Sequence, residues 1–187
     1  TDYQASMNLG YSFENSVVQL NALIETRSPP NDIDRLIHDF ASGTIRQQRE
    51  GNTSNMDNWE IGGDYEYSLS GGSKYRLLFI VNDRDSLFVR NRFDVLESTE
   101  TKNLFLSNFS RDRERIGRTS YTFNVNDAQG LELGIEGSQT IRDGDLRMGL
   151  NTAGERSADF GGLVPVAIAN SKSTVEELRA ELFAAHN

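Results

Sequence analysis

Cysteine is absent from the 187 residues, histidine occurs twice, proline three times and tryptophan once. Without thiols there is no disulfide framework, no thiolate metal site and no cysteine nucleophile. His38 and His186 lie far apart with no ligand spacing around them, so the expectation is no metal and no cofactor. No uninterrupted apolar run approaches the ~18–20 residues of a spanning helix, which excludes a helical membrane protein. Basic side chains are also short, 19 against 28 acidic ones, and the formal net charge is −9. General nucleic-acid binding needs a basic footprint, so nucleic acid is excluded as a partner. Hydrophobic residues reach only 36%. Aromatic and β-branched residues are nevertheless too frequent for a disordered chain.

What the sequence has is period two. In Trp59-Glu60-Ile61-Gly62-Gly63-Asp64-Tyr65-Glu66-Tyr67-Ser68-Leu69 the odd positions are apolar or aromatic apart from Gly63, and the even positions are mostly polar. A strand with one apolar and one wet face gives this alternation. Tyr3–Phe13 repeats it, as do Val18–Ile24, Tyr121–Val125 and Leu131–Ile135. Tyr75–Val81 is more continuously apolar, and its facing is not decided by the pattern. Val175–Leu182 reads as helix as easily as strand, and only the surrounding strands favour strand. Alternation over the eleven residues of Tyr3–Phe13 and of Trp59–Leu69 exceeds the usual strand. It suits a tilted membrane-crossing strand of ~9–11 residues.

The connections fall into two alternating kinds. Short ones sit at 14–16, 70–73 and 126–130, rich in the Asn, Asp and Gly that tight turns require. Long, polar ones are expected at 28–58, 83–103 and 143–174. Within the first, Asn31-Asp32 followed by Ile33, Leu36, Ile37, Phe40 and Gly43 predicts a short helix. Phe160–Val166 is apolar although it falls in an expected loop, and packing back over the sheet would explain it. An up-and-down meander produces this short–long order, with the tight turns on one rim and the long loops on the other.

Aromatic residues crowd the short turns: Tyr11, Phe13, Tyr65, Tyr67, Tyr75, Tyr121 and Phe123. Tyrosine suits a membrane–water boundary because its ring is apolar and its hydroxyl seeks a wet partner. A row of such rings reads as an aromatic girdle, although the end of a soluble sandwich core would also hold them. Glu60, Asp64, Glu66, Arg76, Glu132 and Glu136 are expected on the opposite, wet face, the lumen of a barrel. Arg111-Asp112-Arg113-Glu114-Arg115 and Arg118 are read with that set, facing the lumen or rising above the bilayer, since mid-membrane a basic side chain costs ~2–4 kcal/mol. Asn82-Asp83-Arg84-Asp85 lacks the glycine and distal glutamate of a calcium loop and reads as a charge cluster on a loop rim. No nucleophile–base or paired-carboxylate pattern stands out, so an enzyme is the weaker expectation.

Taken together, the residues predict an all-β chain: an antiparallel up-and-down meander of about seven long strands, an open curved segment of a transmembrane β-barrel. Asn58–Tyr67, Leu77–Asp85 and Phe160–Val166 resemble the barrel region of TonB-dependent outer-membrane receptors of Gram-negative bacteria. The ending Val175–Arg179 with Phe183 and His186-Asn187 is similar to a family strand that runs into a tight turn. The resemblance implies a barrel of about twenty-two strands around a plug, embedded in outer-membrane lipid. It also implies uptake of a scarce solute such as a metal chelate, vitamin or glycan, driven by the TonB complex. No plug, coupling box or signal peptide is expected within these residues. It starts at Thr1 and stops directly after an apolar run, so 1–187 is expected to be one partial barrel domain cut at both ends. The alternatives are a soluble extracellular β-sandwich that binds glycans or protein, and the wall of a plugless porin-type or lipid-exporting barrel. What meets the apolar faces discriminates: a second sheet favours the sandwich, and an uncovered band favours the membrane wall.

Overall fold

Residues 2–97, 99–126 and 129–186 are described by the computed structural model, and they build one antiparallel sheet. Its strands are β1 (Tyr3–Ser12), β2 (Ser16–Arg27), β3 (Pro30–Asp39), β4 (Thr44–Ser68), β5 (Lys74–Leu96), β6 (Thr99–Asn126), β7 (Gln129–Leu150), β8 (Val164–Pro165) and β9 (Lys172–His186). β2 and β3 run along the same edge of β4 in one unbroken register, Arg27 opposite Met56 and Pro30 opposite Thr53. They amount to a single strand interrupted at Ser28-Pro29, where proline has no N–H to offer the ladder. Counted so, the sheet is the expected meander: β1, β2 with β3, β4, β5, β6, β7 and β9. The minor β8 adds two residues beside the far end of β7. The sheet is open. β1 pairs with β2 alone and β9 with β7 alone among the described residues.

The tight turns fall where expected. Phe13 N–H reaches the Ser16 carbonyl at 2.7 Å, and Leu69 N–H reaches that of Ser73 at 2.8 Å. Gly71 and Gly72 hold φ of 84° and 82°, a left-handed backbone that side chains resist. The third expected turn, 126–130, includes Asp127 and Ala128, which lie outside the described residues, as do Thr1, Ser98 and Asn187. The uncertain Val175–Leu182 lies in strand β9.

The expected long connections differ most from the structure. The helix predicted over Asn31–Gly43 is strand β3, paired with β4 from Pro30–Thr53 to Asp39–Thr44. Its i, i+3, i+4 stripe is outweighed by ten consecutive backbone pairings with the facing strand. Most of 83–103 is likewise ladder. β5 continues to Leu96 and β6 begins at Thr99, so Asn82–Asp85 lies inside a strand. Only 151–171 is mainly loop, with a 3-10 turn at Ala158–Phe160. There Phe160–Val166 folds against the sheet, and Leu163 is buried to 2% exposure. With 25 residues in β4 and 28 in β6, the strands reach about 80–90 Å.

This sheet has almost no core. Leu104 and Leu163 are the buried hydrophobic residues among those described, and the accessible surface is 12669 Å². A compact monomer of 20.9 kDa exposes ~9,000 Å². The excess lies on the two faces of a single layer, and it is chemically unequal.

Candidate functional site

Partners across an antiparallel ladder share a face, so the register sorts the side chains. Tyr11, Val18, Tyr65, Leu77, Thr119, Ile135 and Leu182 form one row across the sheet. Towards the short turns follows Ser16, Tyr67, Tyr75, Tyr121, Leu133 and Ala184. Away from them come Leu9, Leu20, Gly63, Phe79, Gly117, Gly137 and Ala180, and then Met7, Ala22, Ile61, Val81, Arg115, Gln139 and Leu178. This settles Tyr75–Val81: its odd residues join the aromatic face, while Leu78 and Ile80 face the other way. The result is an apolar band, broken in its fourth row where Arg115 bonds Gln139 at 3.2 Å. On β4 it runs the eleven residues Trp59–Leu69, against the ~9–11 that a tilted strand needs to cross a bilayer. Leu9, Leu20, Ile61, Leu77, Phe79, Leu133, Ile135 and Leu182 are all exposed, with no second layer over them among the described residues.

The expected girdle residues gather at the lower edge of that band. Tyr11 meets Phe13 edge-on at 4.6 Å, and Tyr121 stacks on Phe123 at 5.8 Å. The Tyr65 hydroxyl lies 3.3 Å from that of Ser16, and the Thr119 hydroxyl donates to Tyr75 at 2.8 Å. Beyond the band's upper edge the same face turns to charge. Arg111 binds both carboxylate oxygens of Asp83, at 2.6 and 3.0 Å, and Arg113 pairs with Asp143. Within that run Arg111, Arg113 and Arg115 share the aromatic face, while Asp112, Glu114 and Arg118 take the opposite one. Consecutive residues of a strand cannot share a face.

Glu60, Asp64, Glu66, Arg76, Glu132 and Glu136 do share that opposite face. Arg76 pairs with Asp64, Lys74 with Glu66 at 2.8 Å, and Arg118 with Glu132 and Glu136 at 3.6 and 3.8 Å. The Arg118 guanidinium also covers the Phe183 ring at 4.1 Å. That ring lies over Gly134, where no side chain competes for the space. Leu23, Leu78, Ile80 and Ile116 interrupt the polar face, so it is mixed where the other is nearly pure.

Farther from the short turns, the polar face carries a cluster the sequence reading missed. Glu50 is 1% exposed and accepts from Arg90 at 2.5 Å and from Arg35 at 2.9 Å. Burial alone would raise its pKa. The Arg90 hydrogen bond and the charges of Arg90, Arg35 and Arg92 outweigh that, and the net shift is downward. Asp94 is also lowered, chiefly by its hydrogen bond with Asn103, helped by Gln48 and by the charges of Arg92 and Arg46. These residues come from β3, β4, β5 and β6, and only the register unites them. The one local trace is the spacing of Arg90 and Arg92 on a single strand face.

Neither histidine joins a site: His38 lies 4.5 Å from Phe40 at the β3–β4 tip, and His186 pairs with Leu131 at the opposite end. Among the described residues no three His, Asp or Glu side chains gather as metal ligands would. What the geometry offers is a sheet with an exposed apolar band on one face and a mixed, charged face behind it. No family model and no curated protein matches this chain.

Proposed function

We propose that the chain is wall from the β-barrel of an outer-membrane receptor of the TonB-dependent kind, in a Gram-negative bacterium, taking up a scarce solute. The observation that carries this reading is the uncovered apolar band, eleven residues tall on β4, backed by a charged face on the same strands. At ~25 cal/mol per Å² such a band is costly in water, and lipid tails remove the cost without a second layer of protein. The tyrosines then mark the periplasmic boundary, and the extended strands rise towards the outside. Glu60, Asp64, Glu66, Arg76, Glu132 and Glu136 line a hydrated lumen. The chain's part is structural: it walls a path for the solute and performs no chemistry. Its edges at β1 and β9 meet further strands of the barrel. Assignment to this receptor class, and coupling to the TonB complex, rest on the sequence resemblance at Asn58–Tyr67, Leu77–Asp85 and Phe160–Val166.

A test is to prepare the whole protein in detergent and dilute it into buffer with and without lipid vesicles. Flotation with the vesicles, and precipitation without them, is the expected result. A protein that stays monodisperse in plain buffer would sink the membrane reading and return the soluble β-protein to first place.

A further inference from the structure

The cluster around Glu50 holds unused bonding capacity. Asn52 is 8% exposed, and its Oδ1 has no hydrogen-bond partner. Directly opposite it in the ladder stands Arg90, whose Nε is also buried and unpartnered. An orphan acceptor and an orphan donor thus belong to paired residues of two neighbouring strands, and buried polar groups are rarely left without a partner. A hydroxyl group satisfies both at once, since it donates to one and accepts from the other.

The charge beside this pair is positive. Arg35, Arg90, Arg92 and Arg46 act on the two carboxylates of Glu50 and Asp94. Arg46 also acts on Asp39, so four guanidinium groups meet three carboxylates and one positive charge is in excess, in a chain whose overall charge is −9. Glu50 takes bonds from Arg35 and Arg90, whereas among the described residues Arg92 hydrogen-bonds the neutral Asn103 alone, at 2.8 Å, through its Nε. Its terminal nitrogens are the ones best placed to receive a carboxylate, and guanidinium matches carboxylate geometry.

We propose that this patch, Arg35, Glu50, Asn52, Arg90 and Arg92, is a binding site for a small polyanion bearing a hydroxyl beside its carboxylates. Glu50 gathers the guanidinium groups, Arg92 takes a carboxylate, and the Asn52–Arg90 pair takes the hydroxyl. The site stands on these contacts alone. That the bound anion is the incoming solute, met at the outer mouth of the lumen, rests on the receptor reading above.

Citrate and tricarballylate test it, because they differ only in the hydroxyl. Calorimetric titration of the whole protein in detergent is expected to show citrate binding at up to about 1 mM, and tricarballylate at least ~10-fold more weakly. Arg92→Gln keeps a hydrogen-bonding partner for Asn103 and is expected to weaken both ligands ~10-fold. Asn52→Ala removes an unpaired group and leaves the fold intact. It is expected to erase the preference for citrate while sparing tricarballylate. No heat with citrate at about 10 mM overturns the proposal, and so does citrate binding that neither variant changes. Vesicle flotation of the same preparation separates the two readings. A protein that floats and does not bind loses only this site, and one that binds without floating loses only the receptor reading.

Discussion

β4 is two strands in one. From Trp59 to Ser68 it alternates oil and charge, whereas from Thr44 to Asn55 it is polar on both faces, yet the ladder with β5 runs through both halves from Gln47–Val95 to Ser68–Lys74. The backbone is indifferent to the change, since its hydrogen bonds are the same in each half. Side chains decide what each half meets. The lower half needs an apolar medium on one side. The upper half is held by ion pairs such as Glu50 with Arg35 and Arg90, or Arg49 with Glu100, and needs none.

One charged residue in each half breaks or sustains that comparison. Phe79 lies mid-band beside Gly63, and Phe79→Arg puts a cation where lipid tails are proposed. The expected loss is about 2–4 kcal/mol in urea unfolding of the vesicle-inserted protein. Val89→Arg, ten residues along the same strand and on the same face, is expected to change stability by less than about 0.5 kcal/mol. Equal effects would show that the two halves do not differ in their surroundings.

Glu50→Gln attacks the upper half alone. It leaves Arg35 and Arg90 without their shared anion, and the expected cost is about 1–3 kcal/mol. Acid does the same reversibly. Because the folded pKa of Glu50 is depressed, and that of Asp94 with it, their stabilisation is fully present above the ordinary carboxylate range. It is lost as pH falls through the folded values. Hydrogen exchange at the amides of β3 and the upper part of β5 is expected to quicken in acid before the band does. Glu50→Gln should flatten that response.

The same contrast explains what the sequence disclosed. Strands announce themselves when one face is oily, so Tyr3–Phe13, Trp59–Leu69, Tyr121–Val125 and Leu131–Ile135 were legible, and the tight turns with them. Where both faces are polar, period two vanishes although the pairing persists, and 28–58 therefore reads as loop. In 83–103 Leu87, Val89, Phe93 and Val95 do alternate with Ser86, Arg90, Arg92 and Asp94, a strand signal overshadowed by the charges around it. In 31–40 chance spacing even mimicked a helix, because Ile33, Leu36 and Ile37 need no common face in a wet hairpin. The polar set Glu60, Asp64, Glu66, Arg76, Glu132 and Glu136 was legible by parity alone. The Glu50 cluster was not, since its members meet through strand registers that no local spacing encodes.

A smaller effect is expected at Gly134, on the polar face of the lower half. A Cβ there would sit 2.7 Å from the Thr119 carbonyl oxygen and closer still to the Phe183 ring. Gly134→Ala is expected to cost about 1–3 kcal/mol through overpacking. Phe183→Leu made together with it should recover part of the loss, because the ring is one of the two obstacles. Recovery measured by the same urea titration would show that the glycine exists to admit the ring. No recovery would assign the strain to the backbone contact.

The finest probe is the Tyr75 hydroxyl, which accepts from Thr119 at 2.8 Å in the tyrosine row of the band's lower edge. At the proposed membrane boundary that hydroxyl would be half wet, so water and lipid headgroups would replace what Tyr75→Phe removes, and the ring would keep its apolar contacts. The expected loss is about 0.5 kcal/mol, at the low end for a hydrogen bond. The equivalent change at Tyr65, bonded to Ser16 at 3.3 Å and one row deeper in the band, is expected to cost somewhat more. Reversal of that order, with Tyr75→Phe above about 2 kcal/mol, would mean a hydroxyl sealed from water. The row of tyrosines would then lie beneath protein, and the lower half would have lost its claim to lipid.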